Sequence, residues 1–294
     1  MTLKNLFVIA RAWSLTISFS SVSIGTALAW QEGSISWLLY FFCLTGAFCL
    51  HAGANMLNDY FDFCNKVDSP ESPTALYRPH PVFAHLATPK KLLQMGLTAL
   101  GIAAAIGLAL VLFKTPGLLP LLALGFAIAV GYTGARKMGL KYMALGEIAV
   151  FLAFGPLMME GTFLIQRSNL SLKTFLVSLP VGLWVALILL ANNLRDTDFD
   201  RSKNITTLCT CMEKFQALRL LKILTFSCLG LTVLCCLFGI LDWNALVTLL
   251  VLPLAIKTLS EFSQHIPAYA DTKISKIAFL YSLLLILSLV SHKF

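Results

Sequence analysis

The sequence has few charged residues for its length. Only 12% of its 294 residues are Asp, Glu, Lys or Arg, whereas 58% are hydrophobic and the mean hydropathy is +0.81. A soluble domain is about half apolar and about a quarter charged. The shortage of charge excludes an ordinary soluble globule and is typical of a chain that crosses a membrane many times.

Paired cysteine motifs and clustered histidines are also absent from the sequence. The eight cysteines include no CxxC pair and lie mostly in apolar runs, and the five histidines are scattered without an HExxH pattern. These absences exclude the common zinc and dithiol motifs. We interpret the cysteines as small buried apolar side chains.

Apolar runs long enough to cross a bilayer recur along the chain. The first run is not followed by a small-residue cleavage site, so we interpret it as a retained span. Runs of this length are too continuous for the strands of a barrel, and the sequence predicts an all-α integral membrane protein. We place nine spans near 13–30, 36–57, 92–113, 117–134, 143–165, 172–193, 217–240, 244–260 and 275–291.

The basic residues fall mainly on one side of these spans. With a cytoplasmic N-terminus, the far side carries only four of the 22 Lys and Arg residues: Lys114, Arg167, Lys173 and Lys293. This asymmetry follows the positive-inside rule and predicts a cytoplasmic N-terminus. We expect a multi-pass protein of the cell (inner or plasma) membrane. It also explains the net charge of +8 without a nucleic-acid partner.

Three carboxylates follow the second predicted span within about three helical turns. The stretch begins Asn58-Asp59-Tyr60-Phe61-Asp62, and Asp68 lies beyond it. A helix is expected to place Asn58, Asp59 and Asp62 on one face within one turn. Crowded acids at the mouth of an apolar segment repel one another unless a cation or a basic ligand holds them.

The segment that continues from these acids is rich in proline. Residues 58–91 contain five of the chain's eleven prolines. Proline fixes φ and removes a backbone donor, so the segment is predicted to be an irregular, stiff loop. A long loop beside clustered acids is interpreted as a lid on the cytoplasmic face.

A second acidic cluster follows the sixth predicted span. Asp196 and Asp200 share a helical face, Asn192 precedes Asp196 by one turn, and Asn193 is adjacent. Asp198 points away from this face and is interpreted as a solvated bystander. The second cluster is expected to lie on the same side of the membrane as the first.

The clusters follow the second and sixth spans, and each has Asn before acids on one helical face. This equivalence suggests two halves, about 1–140 and 141–294, that face one cavity. We therefore treat residues 1–294 as a single transmembrane domain.

Two acidic helix ends on one face of the membrane are expected to bind Mg²⁺, which in turn would bind a diphosphate. Magnesium prefers carboxylate and amide oxygens and is usually shared with substrate phosphates. An apolar cavity behind the acids would hold a hydrocarbon tail, which predicts an isoprenyl diphosphate. Its ionisation would yield an allylic cation for attack by an aromatic ring, with water kept out. Interleaved bases take the remaining phosphate charge: Arg136, Lys137, Lys141, Arg195, Arg201 and Lys203.

The two motifs together resemble those of the UbiA superfamily of membrane-embedded aromatic prenyltransferases. That superfamily has an NDxxDxxxD and a DxxxD motif, here at Asn58–Asp68 and Asp196–Asp200. The likeness extends to Gly25–Ala29, Gly131–Gly134 and Phe154–Leu157. The long spacing to Asp68 looks most like the branch that prenylates 1,4-dihydroxy-2-naphthoate in menaquinone synthesis.

This resemblance implies a particular fold, site and set of partners. It implies nine helices around a central cavity under cytoplasmic cap loops, with Mg²⁺, a polyprenyl diphosphate, an aromatic acid acceptor and the lipid bilayer as partners. Catalytic roles are implied for Asp62, Asp196 and Asp200. The implied metal positions are Asn58, Asp59, Asp62, Asp68, Asp196 and Asp200. The implied substrate contacts are Arg11, Tyr132, Arg136, Lys137, Asn193, Arg195 and Lys203.

Three alternatives stay open at this point. The acceptor could instead be 4-hydroxybenzoate, homogentisate, a tetrapyrrole or a glycerol phosphate ether. A cation-coupled transporter is disfavoured because the acids fall at span ends and not at mid-membrane. A CDP-alcohol phosphotransferase also uses metal and Asp, but its Asp-Gly and Ala-Arg signature is missing here.

Overall fold

The computed structural model describes residues 2–132 and 139–291, and these form helices without a β-strand in either range. Segments of 3₁₀ helix lie at Ala12–Ser14, Leu140–Met143 and Trp243–Val251, and a π-helical segment at Ala153–Leu157 lies between two α-helices. The helices are α1 Leu3–Ile9, α2 Leu15–Gln31, α3 Trp37–Cys64, α4 Pro73–Tyr77, α5 Pro89–Phe113, α6 Leu118–Gly131, α7 Gly146–Leu152, α8 Met158–Arg167, α9 Leu172–Ser202, α10 Lys214–Leu237, α11 Leu252–Gln264 and α12 Ala270–Ser291.

Eight helical segments in the described ranges are long and apolar enough to cross a membrane. The predicted all-α membrane class is therefore confirmed, and the chain is a multi-pass membrane protein. The fourth predicted span, 117–134, corresponds to the shorter apolar helix α6. The number of nine spans accordingly stays a prediction.

Hydroxyl caps define where several membrane helices begin. The side chains of Ser36, Thr88 and Ser171 accept hydrogen bonds from the third residue of α3, α5 and α9 respectively. Glu160 extends the last cap by accepting from the backbone N–H of Ser171 at 3.2 Å. Such caps satisfy N–H groups that the first helical turn leaves without partners.

The two helices that carry the acidic motifs are held by extensive packing. Helix α3 packs against α5, and α9 packs against α7, α10 and α12. The largest apolar cluster includes Trp184 on α9 and Tyr281 on α12. Tyr281 and Thr232 are joined by a buried hydrogen bond of 2.7 Å between their hydroxyls. This packing fixes the ends of α3 and α9 from which the acids project.

Close helix contacts in this bundle depend on glycine. A Cβ added at Gly25 on α2 would lie 2.7 Å from the backbone oxygen of Met159 and 3.2 Å from Cβ of Thr162. Small residues allow membrane helices to approach in this way. Gly155 packs equally closely against Gly182 on α9, where an added Cβ would lie 2.8 Å from the Gly182 Cα.

Gly25→Ala is expected to destabilise the protein by about 1–3 kcal/mol, because the new methyl group meets backbone that cannot move aside cheaply. Thermal unfolding in detergent measures the change as a lower Tm. Gly101→Ala is the matched control, since its Cβ would have nothing within 4 Å. Equal melting temperatures for the two variants would contradict the close packing of α2 on α8.

Candidate active site

A cavity of about 360 Å³ lies between α2, α3, α6, α7, α8 and α9. Its inner wall is largely apolar and includes Ile17, Leu50, Ile128, Val150 and Leu189. Its mouth is polar because the C-terminal ends of α3 and α9 meet there. The polar lining at the mouth comprises Arg11, Asn58, Asp62, Asp68, Tyr77, Arg78, Tyr132, Lys141, Tyr142, Asn192, Asn193, Asp196 and Asp200.

The α3 side of the mouth is centred on Asn58 and Asp62. Lys141 donates to Asn58 Oδ1 at 2.7 Å and to the two carboxylate oxygens of Asp62 at 2.6 and 2.5 Å. The hydroxyl of Tyr142 also donates to Asp62. Burial and this carboxylate raise the pKa of Tyr142, which keeps its hydroxyl protonated as a donor.

The α9 side repeats this arrangement with a different cation. Arg195 donates to both carboxylate oxygens of Asp196, at 2.6 and 2.7 Å, and to Asn192 Oδ1 at 2.8 Å. Asp200 also lines the cavity, and its carboxylate has no hydrogen-bond partner within 2–132 and 139–291. Asn193 turns to Glu147, donating to its carboxylate at 2.9 Å.

The two sides share one pattern of ligands. Asn58 and Asp62 are separated by four residues, as are Asn192 and Asp196, and each pair holds an amide oxygen and a carboxylate around one cation. Asp62 and Asp200 lie in the last turns of α3 and α9, where the helix dipole is negative and favours positive charge. This donor set of hard oxygens fits Mg²⁺.

Asp59 occupies a separate environment behind the mouth. Its side chain is 0% exposed and accepts from Arg11 and, at 2.9 Å, from Arg78. Asp59 was grouped with the metal positions from the sequence, whereas the structure places its carboxylate between two guanidinium groups and off the cavity wall. Burial would lower the pKa of Arg11, but the Asp59 carboxylate more than offsets this and raises it.

Asp68 returns to the mouth through a tight turn after α3. Lys66 adopts a positive φ of 55°, and the N–H groups of Val67 and Asp68 both donate to the Asp62 carbonyl, at 2.9 and 3.2 Å. His80 Nε2 lies 3.4 Å from Asp68 Oδ2. This turn brings Asp68, six residues after Asp62, back to the cavity wall.

Asp59, Asp68 and His80 together resemble a metal-ligand group, with donor atoms within 4.8 Å of one another. His80 Nδ1, however, accepts from the N–H groups of Val82 and Phe83, at 3.2 and 3.5 Å. Nδ1 then needs its lone pair, so Nε2 carries the proton. With Asp59 already paired to guanidinium groups, we interpret the three residues as side chains with partners inside the protein and not as a metal site.

The proline-rich loop folds over the α9 side of the mouth. In α4, Tyr77 donates to Asp271 at 3.1 Å and its ring lies 4.6 Å from the guanidinium of Arg195. Arg195 also donates to Thr74 at 3.2 Å and to Asp271 at 3.1 Å. Helix α4 thus connects the loop from α3 to both α9 and α12.

The remaining residues predicted from the sequence differ in position. Tyr132 lines the cavity. Lys203 is half-buried, with Nζ 5.6 Å from the Phe199 ring, and does not line the cavity. Arg136 and Lys137 lie outside the described residues. Asp198 is on the exposed face as predicted, with its side chain 76% accessible and paired to Lys214 at 3.3 Å.

Several residues at the mouth are absent from the metal ligands and substrate contacts that the resemblance implies. Lys141 was counted only among the interleaved bases, and Asn192 was noted without being placed among the ligands. The identical four-residue spacing of the two Asn–Asp pairs was the signal for Asn192. Arg78 and Tyr142 reach the site from irregular segments, where periodicity carries no information.

Fold and site together define a class of membrane-embedded enzymes. In this class, two helices each carry an Asn–Asp pair at the mouth of an apolar cavity. The UbiA prenyltransferase family matches residues 18–284, and the chain belongs to this family. The family predicted from the two motifs is therefore confirmed.

Relatives and solved structures agree with this assignment. A Dictyostelium discoideum protein described as UbiA prenyltransferase domain-containing protein 1 is 31% identical over 225 residues, which cover 71% of this chain and 64% of the relative's length. A Bacillus subtilis 1,4-dihydroxy-2-naphthoate octaprenyltransferase is 29% identical over 216 residues, covering 74% and 68%. A UbiA homolog from Archaeoglobus fulgidus, solved with GPP and Mg²⁺, has a TM-score of 0.64 at 13% identity, covering 98% and 99%.

Proposed function

We propose that this chain transfers a polyprenyl group from a polyprenyl diphosphate to an aromatic acid in a reaction that requires Mg²⁺. The observation that carries the proposal is the convergence of two Asn–Asp pairs, on α3 and α9, at the mouth of one cavity with an apolar inner wall. Such a cavity offers oxygen ligands to a metal-bound diphosphate and an apolar wall to its hydrocarbon tail.

Asn58, Asp62, Asp196 and Asp200 are the residues that would hold Mg²⁺, with Asp68 beside them. The bound metal supplies charge neutralisation for the diphosphate leaving group. A homolog of the same fold solved with GPP and Mg²⁺ supports this assignment. The hard oxygen donors support it independently, as does the position of Asp62 and Asp200 in the last turns of their helices.

Positive side chains at the mouth are proposed to bind the diphosphate oxygens. Lys141 and Arg195 donate hydrogen bonds to the carboxylates of Asp62 and Asp196, which are proposed to bind the metal, and Arg11 lines the same cavity. Charge-assisted hydrogen bonds from such groups stabilise phosphate oxygens and the charge that develops as diphosphate leaves. Arg136, Lys137 and Lys203 stay predicted contacts of this kind.

The inner wall is proposed to exclude water while the prenyl group is transferred. The allylic C–O bond breaks and its electrons leave with diphosphate, after which the acceptor ring forms the new C–C bond. Loss of a proton or of carbon dioxide from that ring carbon restores aromaticity. Water would capture the allylic cation, so an apolar wall with Tyr132 and Phe154 protects it.

Dihydroxynaphthoate is the acceptor we propose first. The Bacillus subtilis relative carries this activity in its description and is 29% identical. The long spacing of the first motif favours the same branch, and we propose a role in menaquinone synthesis on that basis. We further propose the cell membrane as the location. The distribution of basic residues supports a cytoplasmic N-terminus.

Purified protein with radiolabelled polyprenyl diphosphate, Mg²⁺ and a panel of acceptors tests the proposal. We expect a prenylated product from dihydroxynaphthoate, its loss to background with excess EDTA, and its return when Mg²⁺ is restored. Folded protein that prenylates no member of the panel would refute the enzymatic activity. Preference for 4-hydroxybenzoate, homogentisate, a tetrapyrrole or a glycerol phosphate ether would keep the reaction and change the acceptor.

A further inference from the structure

Glu147 is a buried acidic side chain to which the proposed transfer gives no role. It is the second residue of α7 and is only 8% exposed, and it belongs to the membrane-spanning segment Gly146–Arg167. Ionisable residues within membrane spans are costly and commonly mark functional sites. The first turn of a helix favours negative charge, so this position suits an ionised carboxylate.

Asn193 on α9 is the side chain that Glu147 holds. Its Nδ2 atom donates to Glu147 Oε1 at 2.9 Å. The start of α7 lies directly against α9, since a Cβ added at Gly146 would lie 3.2 Å from Leu189 Cδ2. Asn193 lines the cavity, whereas Glu147 lies behind the wall. The hydrogen bond therefore joins a buried carboxylate to a residue at the cavity surface.

This hydrogen bond determines which end of the Asn193 amide faces the cavity. An ionised carboxylate accepts hydrogen bonds and cannot donate them, so Asn193 must turn its NH₂ group toward Glu147. Asn193 Oδ1 makes no hydrogen bond among the residues that the structure describes, and it is the atom left to face the cavity. Without the carboxylate, the amide could rotate by half a turn and present its NH₂ group instead.

Asn193 shares one stripe of α9 with the two acids of the second motif. Separations of three and four residues place Asn193, Asp196 and Asp200 on the same helical face, and all three line the cavity. A cation bound there would be attracted by the Asn193 oxygen and repelled by its NH₂ group. Buried partners that orient side chains toward a metal in this way tune the affinity of metal sites.

We propose that Glu147 is a positioning residue for the metal-binding face of α9. By holding Nδ2 of Asn193, it keeps Oδ1 directed toward the cation that Asp196 and Asp200 bind. The inference rests on the proposed function and adds to its metal site a side chain that does not touch the metal. Magnesium usually retains several waters, so Oδ1 can bind the ion or one of these waters.

Mn²⁺ titration of the full chain, followed by electron paramagnetic resonance without a prenyl substrate, tests this role. Glu147→Leu is expected to raise the Kd for Mn²⁺ about tenfold or more. Asn193→Leu should have the same effect, and the double variant should lose no more than either single variant, because each change removes the same oriented oxygen.

Glu160→Leu is the matched control for this titration. Glu160 is also buried in the segment Gly146–Arg167, but it accepts from the backbone N–H of Ser171 and lies outside the cavity lining. This variant should lower the Tm and leave the Mn²⁺ affinity unchanged. The comparison separates a general cost of losing a buried carboxylate from a specific effect on the metal site.

An exchange of the two partners is the readout that a purely structural role would not move. Glu147→Gln alone no longer fixes the amide, and Asn193→Asp alone sets two carboxylates against each other, so each should weaken Mn²⁺ binding. In the variant that combines them, the new Gln donates to the new Asp and an oxygen again faces the cavity. The combined variant should recover the wild-type affinity or exceed it.

Three results would overturn the inference: Mn²⁺ affinity within about twofold of the wild type in folded Glu147→Leu, additive losses in the double variant, or no recovery in the exchanged pair. If Glu147→Leu does not fold, Glu147→Gln and the exchanged pair decide by the same criteria. Wild-type protein that binds no Mn²⁺ would overturn the inference together with the metal site. Wild-type protein that binds Mn²⁺ and prenylates no acceptor would refute only the proposed function.

Discussion

Asp62→Asn is expected to lower turnover about 10³-fold or more, equivalent to about 4 kcal/mol in the activation barrier, while the protein still folds. The substitution keeps the shape of the side chain and removes its negative charge. Asp62 holds the Lys141 ammonium through both carboxylate oxygens. An amide in its place offers one weaker oxygen to a divalent cation. Asp196→Asn should have the same effect on the α9 side.

A second measurement separates metal binding from catalysis. Mn²⁺ bound to the purified protein can be followed by electron paramagnetic resonance without any turnover, and both Asn variants should bind it more weakly. Asp198→Asn is the matched control, because it makes the same chemical change on α9 at an exposed side chain. Turnover within a few-fold of the wild type in Asp62→Asn would remove this residue from the mechanism.

Hydropathy and helical periodicity were sufficient to predict the class of fold and to identify the two helices that carry the acidic motifs. The long apolar runs predict membrane helices because a backbone in lipid must satisfy its own hydrogen bonds. Separation by four residues predicts that Asn58 and Asp62 share a helical face, and both line the cavity. These features depend only on local sequence, so they can be read without knowing how the helices pack.

The environment of Asp59 could not be obtained in the same way. Asp59 was expected on one face with Asn58 and Asp62, but adjacent residues on a helix differ by about 100° in direction, and Asp59 does not line the cavity. What it faces depends on the course of an irregular loop, which returns Arg78 to α3, and on Arg11 before α2. Lys141 reaches the site from another irregular segment. Such contacts follow from tertiary packing and leave no periodic signal.

Asp59→Asn is expected to damage stability more than chemistry, in contrast to Asp62→Asn. The Asp59 side chain is 0% exposed, and its negative charge compensates Arg11 and Arg78. Removal of one partner from a buried ion pair costs about 3–5 kcal/mol, because the remaining charges are left without compensation. The Tm in detergent should fall by roughly 6 °C or more.

Comparison of two neighbouring acids makes this prediction decisive. Below both melting transitions, folded Asp59→Asn should retain Mn²⁺ binding. Asp62→Asn should lose it with a smaller fall in Tm, because Asp62 pairs with one cation whereas Asp59 pairs with two. Asp59→Glu keeps the charge and should recover part of the lost stability. An unaltered Tm with weakened Mn²⁺ binding in Asp59→Asn would instead return Asp59 to the metal ligands. The two acids share one motif, but Asp59 pairs with Arg11 and Arg78 and thereby links α3 to the N-terminal segment and to the loop.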